Sequence, residues 1–204
     1  QEFSDGGFNN LIKVNRGKLD FCICQDRFFQ NGVNNLLEFK TFNKLENLQF
    51  VSSVYIESMN FIVKDYDTDE QGNASMIDSE IVIDSMEDLA TKNNIIIGVG
   101  ETLSASQNNF EVICSDNGLV IVDYLKRNDE IFKNIPENRK VYYLNGTLNQ
   151  LFNKFYKGEI HGIFMMASAN NVYIKNISRR MNVKFIDFYN EKSKLVTNFN
   201  NYYF

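Results

Sequence analysis

An α/β chain with a mainly parallel sheet is predicted, on three observations. Strand-sized apolar runs alternate with segments of helical spacing. Helical segments stop at a glycine and pass, two residues later, into another apolar run. That layout occurs twice, as Gly17-Lys18-Leu19-Asp20-Phe21-Cys22-Ile23 and as Gly158-Glu159-Ile160-His161-Gly162-Ile163-Phe164. Two related α/β lobes would produce the echo.

In chain order, Phe8, Leu11, Ile12 and Val14 space a short helix that Gly17 ends. Leu19–Cys24 reads as a buried strand, and a helix follows from Gln25 to about Leu37. Gln49 to Lys64 carries the runs Phe50-Val51, Val54-Tyr55-Ile56 and Phe61-Ile62-Val63, read as extended and buried. Asp84-Ser85-Met86-Glu87-Asp88-Leu89 opens a short helix with acids in its first turn. Ile95–Gly100 is a strand, Ser104–Asp116 a helix, and Val120–Val122 a short apolar run. Val141–Leu144 is a strand, Thr147–Tyr156 a helix by the spacing of Leu148, Leu151, Phe152 and Phe155, and Ile160–Met166 a strand. Asn170–Met181 closes as a helix with two late arginines, before a last strand at Val183–Phe188.

Composition bounds the function. The 204 residues are 44% apolar, 23% charged and 14% aromatic, which is globular usage. A net charge of −5 and a pI near 5.0 imply no basic footprint for nucleic acid. Apolar runs stay strand-sized, well short of the roughly 18–20 residues of a membrane helix. The first residues, Gln1–Gly7, have neither the basic start nor the apolar stretch of a leader. Cys22, Cys24 and Cys114 are an odd number and cannot form a closed disulfide framework. Cys22 and Cys24 would face the same way on a strand, a poor geometry for bridging, and read as buried thiols.

Several chemistries are excluded by spacing. The acidic stretch Asp65–Asn73 puts Glu70 where a calcium loop needs its sixth-position glycine and Met76 where it needs its twelfth-position Glu. His161, the one histidine, lacks a local Glu-x-x-His partner and reads as a packed residue. Gly98-Val99-Gly100-Glu101-Thr102-Leu103 places Leu103 at the third glycine of a dinucleotide loop, and no Gly-Lys-Ser/Thr occurs. An enzyme built on Cys22 or Cys114 with His161 has no sequence signature behind it. No metal and no cofactor is expected.

Two turns stand out. Gly100–Ser106 is a strand-to-helix turn whose hydroxyls and N–H groups would point outward at a helix N-terminus, a ready site for a carboxylate. Ser4–Asn10 has the same layout. Facing each other, the two would clamp an anionic ligand. The alternative for each is plain helix capping.

The stretch Gly6-Gly7-Phe8-Asn9-Asn10-Leu11, followed by Gly17-Lys18-Leu19-Asp20-Phe21-Cys22-Ile23-Cys24-Gln25, resembles the TAXI family of TRAP-transporter solute receptors. The likeness continues through Val54-Tyr55-Ile56-Glu57, Ser85-Met86-Glu87-Asp88-Leu89, Gly98–Ser104 and Tyr156–Phe164. It implies a two-lobed, type II periplasmic-binding-protein-like fold: residues 1–64 a partial first lobe, 65–84 an acidic hinge loop, 85–188 the second lobe, and 189–204 a return toward the first. It implies a non-enzymatic periplasmic receptor, expected as a monomer. Such a receptor captures a small carboxylate, such as glutamate or 2-oxoglutarate, in the inter-lobe cleft and delivers it to TRAP membrane subunits. The implied contacts are Gly7, Asn10, Gln25 and Tyr55 in the first lobe and Gly100, Thr102, Ser104 and Asn170 in the second. The chain departs from the family pattern where Gly7 replaces a serine, Leu103 a glycine and His161 an aspartate. The pattern also implies family segments before Gly6 and after Tyr203. A ligandless receptor fold serving as a protein-interaction module is the rival reading.

Overall fold

The computed structural model describes residues 6–42, 44–54, 57–65, 81–168 and 171–186. The chain divides into two compact units, residues 1–56 with 101–105, and residues 57–100 with 106–204.

In the first unit, helix α1 spans Gly7–Asn15 and helix α2 spans Asp26–Asn34, followed by a 3₁₀ turn at Leu37–Phe39. The apolar face of α1 (Phe8, Leu11, Ile12) packs with Phe28, Phe39 and Leu45. The rings of Phe8 and Phe39 lie 4.6 Å apart, and Leu103 and Ala105 pack on the same cluster. Gly17 ends α1 as predicted. At φ 67° it lets its own N–H reach the Val14 carbonyl (2.9 Å) while Lys18 N–H reaches Lys13 (2.8 Å).

Two predicted strands are absent. Leu19–Cys24 and the Phe50–Val54 run join no ladder among the described residues, and several of their apolar side chains are exposed, Phe21 at 82% and Val51 at 89%. Alternating apolar character suits extended backbone, but a strand also needs a neighbour to bond and cover it. Neither segment has one among the described residues.

The second unit holds a six-stranded sheet. Its elements run β1 (Ser58–Lys64), α3 (Asp88–Thr91), β2 (Ile96–Gly98), α4 (Ala105–Asp116), β3 (Val120–Asp123), α5 (Glu130–Lys133), β4 (Lys140–Leu144), α6 (Leu148–Lys157), β5 (Gly162–Ala167), α7 (Val172–Ile177) and β6 (Val183–Phe185). Strand order is β3-β4-β2-β5-β1-β6. The pairs β3·β4, β4·β2 and β2·β5 are parallel, as the strand–helix alternation predicts. The pairs β5·β1 and β1·β6 are antiparallel, so the sheet is mixed. β1 was expected to close a first lobe ending at residue 64. It lies instead within this sheet, with Phe61 opposite Phe164.

Side chains alternate across the strands and build a core on each face. Phe110, Ile113 and Leu89 pack with Ile97, Val141 and Phe164 on one side. Leu151, Phe155 and Ile177 pack with Ile62, Ile163 and Met165 on the other. Truncating any fully buried Phe here would cost about 3–5 kcal/mol. Gly158 repeats the stop seen at Gly17: at φ 76° it lets Glu159 N–H reach Lys154 at 2.9 Å before the chain enters β5. The echo thus holds for the two helix ends, and a strand follows only the second. The acidic hinge expected at 65–84 lies mostly outside the described residues.

Candidate functional site

The start of α1 is shaped by two glycines. Gly6 is its N-cap at φ 86°, a left-handed conformation that bulkier residues avoid. The first intrahelical bond runs from Asn10 N–H to the Gly6 carbonyl at 3.1 Å. The N–H groups of Gly7, Phe8 and Asn9 precede that bond, and Gly6 has no side chain with which to cap them. Gly7 lies against the segment that opens α2. A Cβ placed on it would stand 3.2 Å from both Cys24 Cβ and Phe28 Cδ2. Any side chain at this position would press on Cys24 and Phe28. Gln25 caps α2 through its carbonyl, which accepts from Phe28 N–H (3.1 Å) and Phe29 N–H (3.3 Å).

The Glu101–Ala105 segment belongs to this same unit. A Cβ on Gly6 would stand 3.9 Å from the Leu103 carbonyl oxygen. Leu103 itself sits at φ 60°, in the left-handed region, while its side chain packs on the α1–α2 core. Ser104 N–H donates to the Glu101 carbonyl at 3.0 Å. Thr102 is exposed, Ser104 and Gln25 are half-buried, and Asn10 is buried.

Of the eight sequence-predicted residues, Gly7, Asn10, Gln25, Thr102 and Ser104 thus share one unit. Gly6 adjoins the Leu103 turn, and Gly7 adjoins the residue before Gln25. Gly100 belongs to the second unit. Tyr55 and Asn170 lie outside the described residues.

Gly100 has partners that no sequence pattern singles out. It follows β2 at φ 81°, and its carbonyl accepts from Gly146 N–H (2.9 Å) and Asn145 Nδ2 (3.0 Å). Asn145 Nδ2 also donates to Gln107 Oε1 at 3.0 Å, and Gln107 Nε2 donates to Glu111 Oε1 at 2.9 Å. A carboxylate only accepts, so Glu111 sets the orientation of Gln107, and Gln107 that of Asn145. The residues are 38 and 45 positions apart, too far for any local signal.

The thiols and the histidine are engaged elsewhere. Burial pushes the Cys22 thiol up, and a hydrogen bond from Cys24 pulls it part of the way back. Burial drives Cys24 up to about 12, with the neighbouring Cys22 adding to it. Cys114 is fully buried in the Phe110–Ile113 core, and burial raises it further still. His161 bridges two strands: its N–H donates to the Ile96 carbonyl (2.8 Å), and its Nδ1 accepts from Ile96 N–H (3.0 Å). The packed histidine predicted from the sequence is therefore a strand-pairing side chain. Among the described residues no cluster of three or more His, Cys, Asp or Glu could hold a metal ion.

No protein-family model matches the chain, and no curated protein sequence does. Among solved structures, the chain is similar to an ancestral arginine-binding protein bound to glutamine, with a TM-score of 0.39, 16% identity, and 89% of this chain and 67% of that one covered. An ancestral arginine-binding protein bound to arginine gives 0.40, 17%, and 89% and 68%. At that distance the likeness adds nothing to the mixed α/β sheet already described.

Proposed function

We propose that the chain is a non-enzymatic solute-binding receptor of the TRAP type, acting in the periplasm as a monomer. Its ligand would be a small carboxylate of the glutamate or 2-oxoglutarate class, passed on to TRAP membrane subunits. The reading rests on one observation: a glycine-led helix start at Gly6–Gly7 adjoins a second turn whose Leu103 takes the left-handed conformation of a glycine. N–H groups in the first turn of a helix attract a carboxylate by hydrogen bonding and by the helix dipole. Gly7, Asn10, Gln25, Thr102 and Ser104 would form the contacts, with Gly100, Tyr55 and Asn170 added by the resemblance. In this reading residues 65–84 act as a hinge.

Thermal denaturation in the presence of dicarboxylates and amino acids tests it. A bound ligand at about 100 times its Kd adds about 2.7 kcal/mol of stability and raises the midpoint. No shift with any acid refutes the receptor. The exposed side chains of Phe21, Ile23, Phe50, Val51 and Val54 favour a second reading, a ligandless fold that presents apolar surface to a protein partner. That reading requires an unmoved midpoint with every acid.

A further inference from the structure

Asn145 directly follows β4, at a point that neither the sequence pattern nor the resemblance singles out. Strands β2 and β4 are parallel neighbours, with Gly98 in register with Leu144. The helices that follow them lie on opposite faces of the sheet. α4 packs through Phe110 and Ile113 on one face, and α6 packs through Leu151 and Phe155 on the other. The chain therefore leaves in opposite directions beyond the carboxyl ends of β2 and β4. In open α/β sheets, ligands bind in the crevice that such a divergence opens. Asn145 stands there half-buried, and it shares the Gly100 carbonyl with Gly146 N–H.

The direction of its carboxamide is fixed from two sides. The Glu111 carboxylate only accepts, so Gln107 turns Nε2 toward it (2.9 Å) and Oε1 toward Asn145. Asn145 Nδ2 then serves two acceptors, Gln107 Oε1 and the Gly100 carbonyl, each at 3.0 Å. Turned over, the side chain would set Oδ1 against both oxygens. Oδ1 is left as an acceptor without a partner among the described residues. It is open to solvent, since no buried side-chain nitrogen or oxygen among them lacks a partner. We propose, resting on the receptor reading, that Asn145 sets specificity: its Oδ1 accepts a hydrogen bond from an ammonium group of the ligand, and Gln107 and Glu111 are positioning residues that hold it as an acceptor. An ammonium forms a charge-assisted bond to Oδ1, strengthened by the Glu111 charge at the far end of the same chain of bonds. A keto group only accepts, and would bring a second acceptor against Oδ1. A site that reads an N–H rejects the analogue lacking it more sharply than a pocket rejects by size. The ligand class thereby narrows to amino acids over the matching 2-oxo acids.

The test is isothermal titration of the full chain with L-glutamate and with 2-oxoglutarate, which differ in the amino group. The wild type should bind glutamate at least about tenfold more tightly. Asn145→Leu removes the acceptor at similar size and should bring the two affinities within about threefold of each other. Glu111→Gln removes the charge and frees Gln107 to turn, so it should cut the preference by about threefold or more. It gives the same readout should Asn145→Leu fail to fold. A merely structural loss weakens both ligands alike and leaves their ratio unmoved. A wild type that binds 2-oxoglutarate as tightly as glutamate, or a wild-type ratio in either folded variant, would overturn the proposal and leave the receptor reading standing. A wild type that binds neither acid overturns both.

Discussion

Leu103 offers a direct measure of how far the turn before α4 is set by backbone and how far by packing. Its φ of 60° would suit a glycine, yet its side chain lies half-buried on the Phe8–Leu11–Phe28 cluster. The left-handed conformation costs a non-glycine residue about 1–2 kcal/mol. Glycine removes that strain but loses about 0.5–1 kcal/mol through the freedom it gains in the unfolded chain. Relative to Ala at the same position, Gly should therefore be more stable by about 1 kcal/mol, the reverse of the order at an ordinary site. Leu103→Ala keeps the strain and loses the packing, so it should fall below wild type by about 1–2 kcal/mol, less than the loss of a fully buried Leu. Leu103→Gly should lie between the two. Urea unfolding followed by tyrosine fluorescence reads the series, since the chain has ten Tyr and no Trp. Leu103→Ala matching or exceeding Leu103→Gly would refute the claim that this turn holds a strained left-handed residue.

Three further perturbations separate structural roles from the proposed binding role. Gly7→Ser places a Cβ 3.2 Å from Cys24 Cβ and Phe28 Cδ2, so it should lower stability by about 1–3 kcal/mol in urea unfolding. His161→Ala leaves Ile96 N–H without its acceptor and should cost about 1–3 kcal/mol, and His161→Asn should recover part of the loss by offering Oδ1 in place of Nδ1. Burial works to raise the Asp88 carboxyl, but it is outweighed by Asp84 N–H (2.7 Å), Lys92 and Ser85 N–H (2.9 Å), and the net shift is downward. A carboxyl lowered by folding adds stability that is present above its unfolded value near 3.8 and is lost as pH falls through the lower folded value. Stability should therefore drop as pH falls from about 3.8 through the lower folded value in the wild type, with a smaller drop in Asp88→Asn.

Legibility in the sequence followed the range of each interaction. The helix at Leu148–Lys157 was plain because its apolar stripe and its glycine stop are local. The unit from β4 through α6 to β5 followed from alternation alone, whereas β3 was visible only as a short apolar run. β1 was recognised as extended but misplaced, because its antiparallel partner β5 lies about a hundred residues on, and no local pattern encodes that pairing. Leu19–Cys24 failed for the opposite reason: its pattern is that of a covered strand, and cover is a property of the surroundings. Within the candidate site, the glycine bends were visible as glycines. The crowding of Gly7 by Cys24, and the Asn145–Gln107–Glu111 chain behind Gly100, arise only from folding.

A serine at position 7 would add a hydroxyl, and a glycine at position 103 would take the positive φ without strain. Cys24 and Phe28 stand close to any side chain added at Gly7, and Leu103 holds its positive φ despite the strain. A strained conformation persists where surrounding structure over-determines it, here through the burial of the Leu103 side chain. Under the proposed reading, recognition then shifts from side-chain hydroxyls to backbone N–H groups, which Gly7→Ser and Leu103→Gly leave in place. Substitutions at these two positions should change stability more than selectivity among carboxylates. Isothermal titration of the folded Leu103→Gly variant with glutamate and 2-oxoglutarate should return the wild-type ratio of affinities. A ratio altered more than about tenfold, equivalent to about 1.4 kcal/mol, would show that the Leu103 side chain itself reads the ligand.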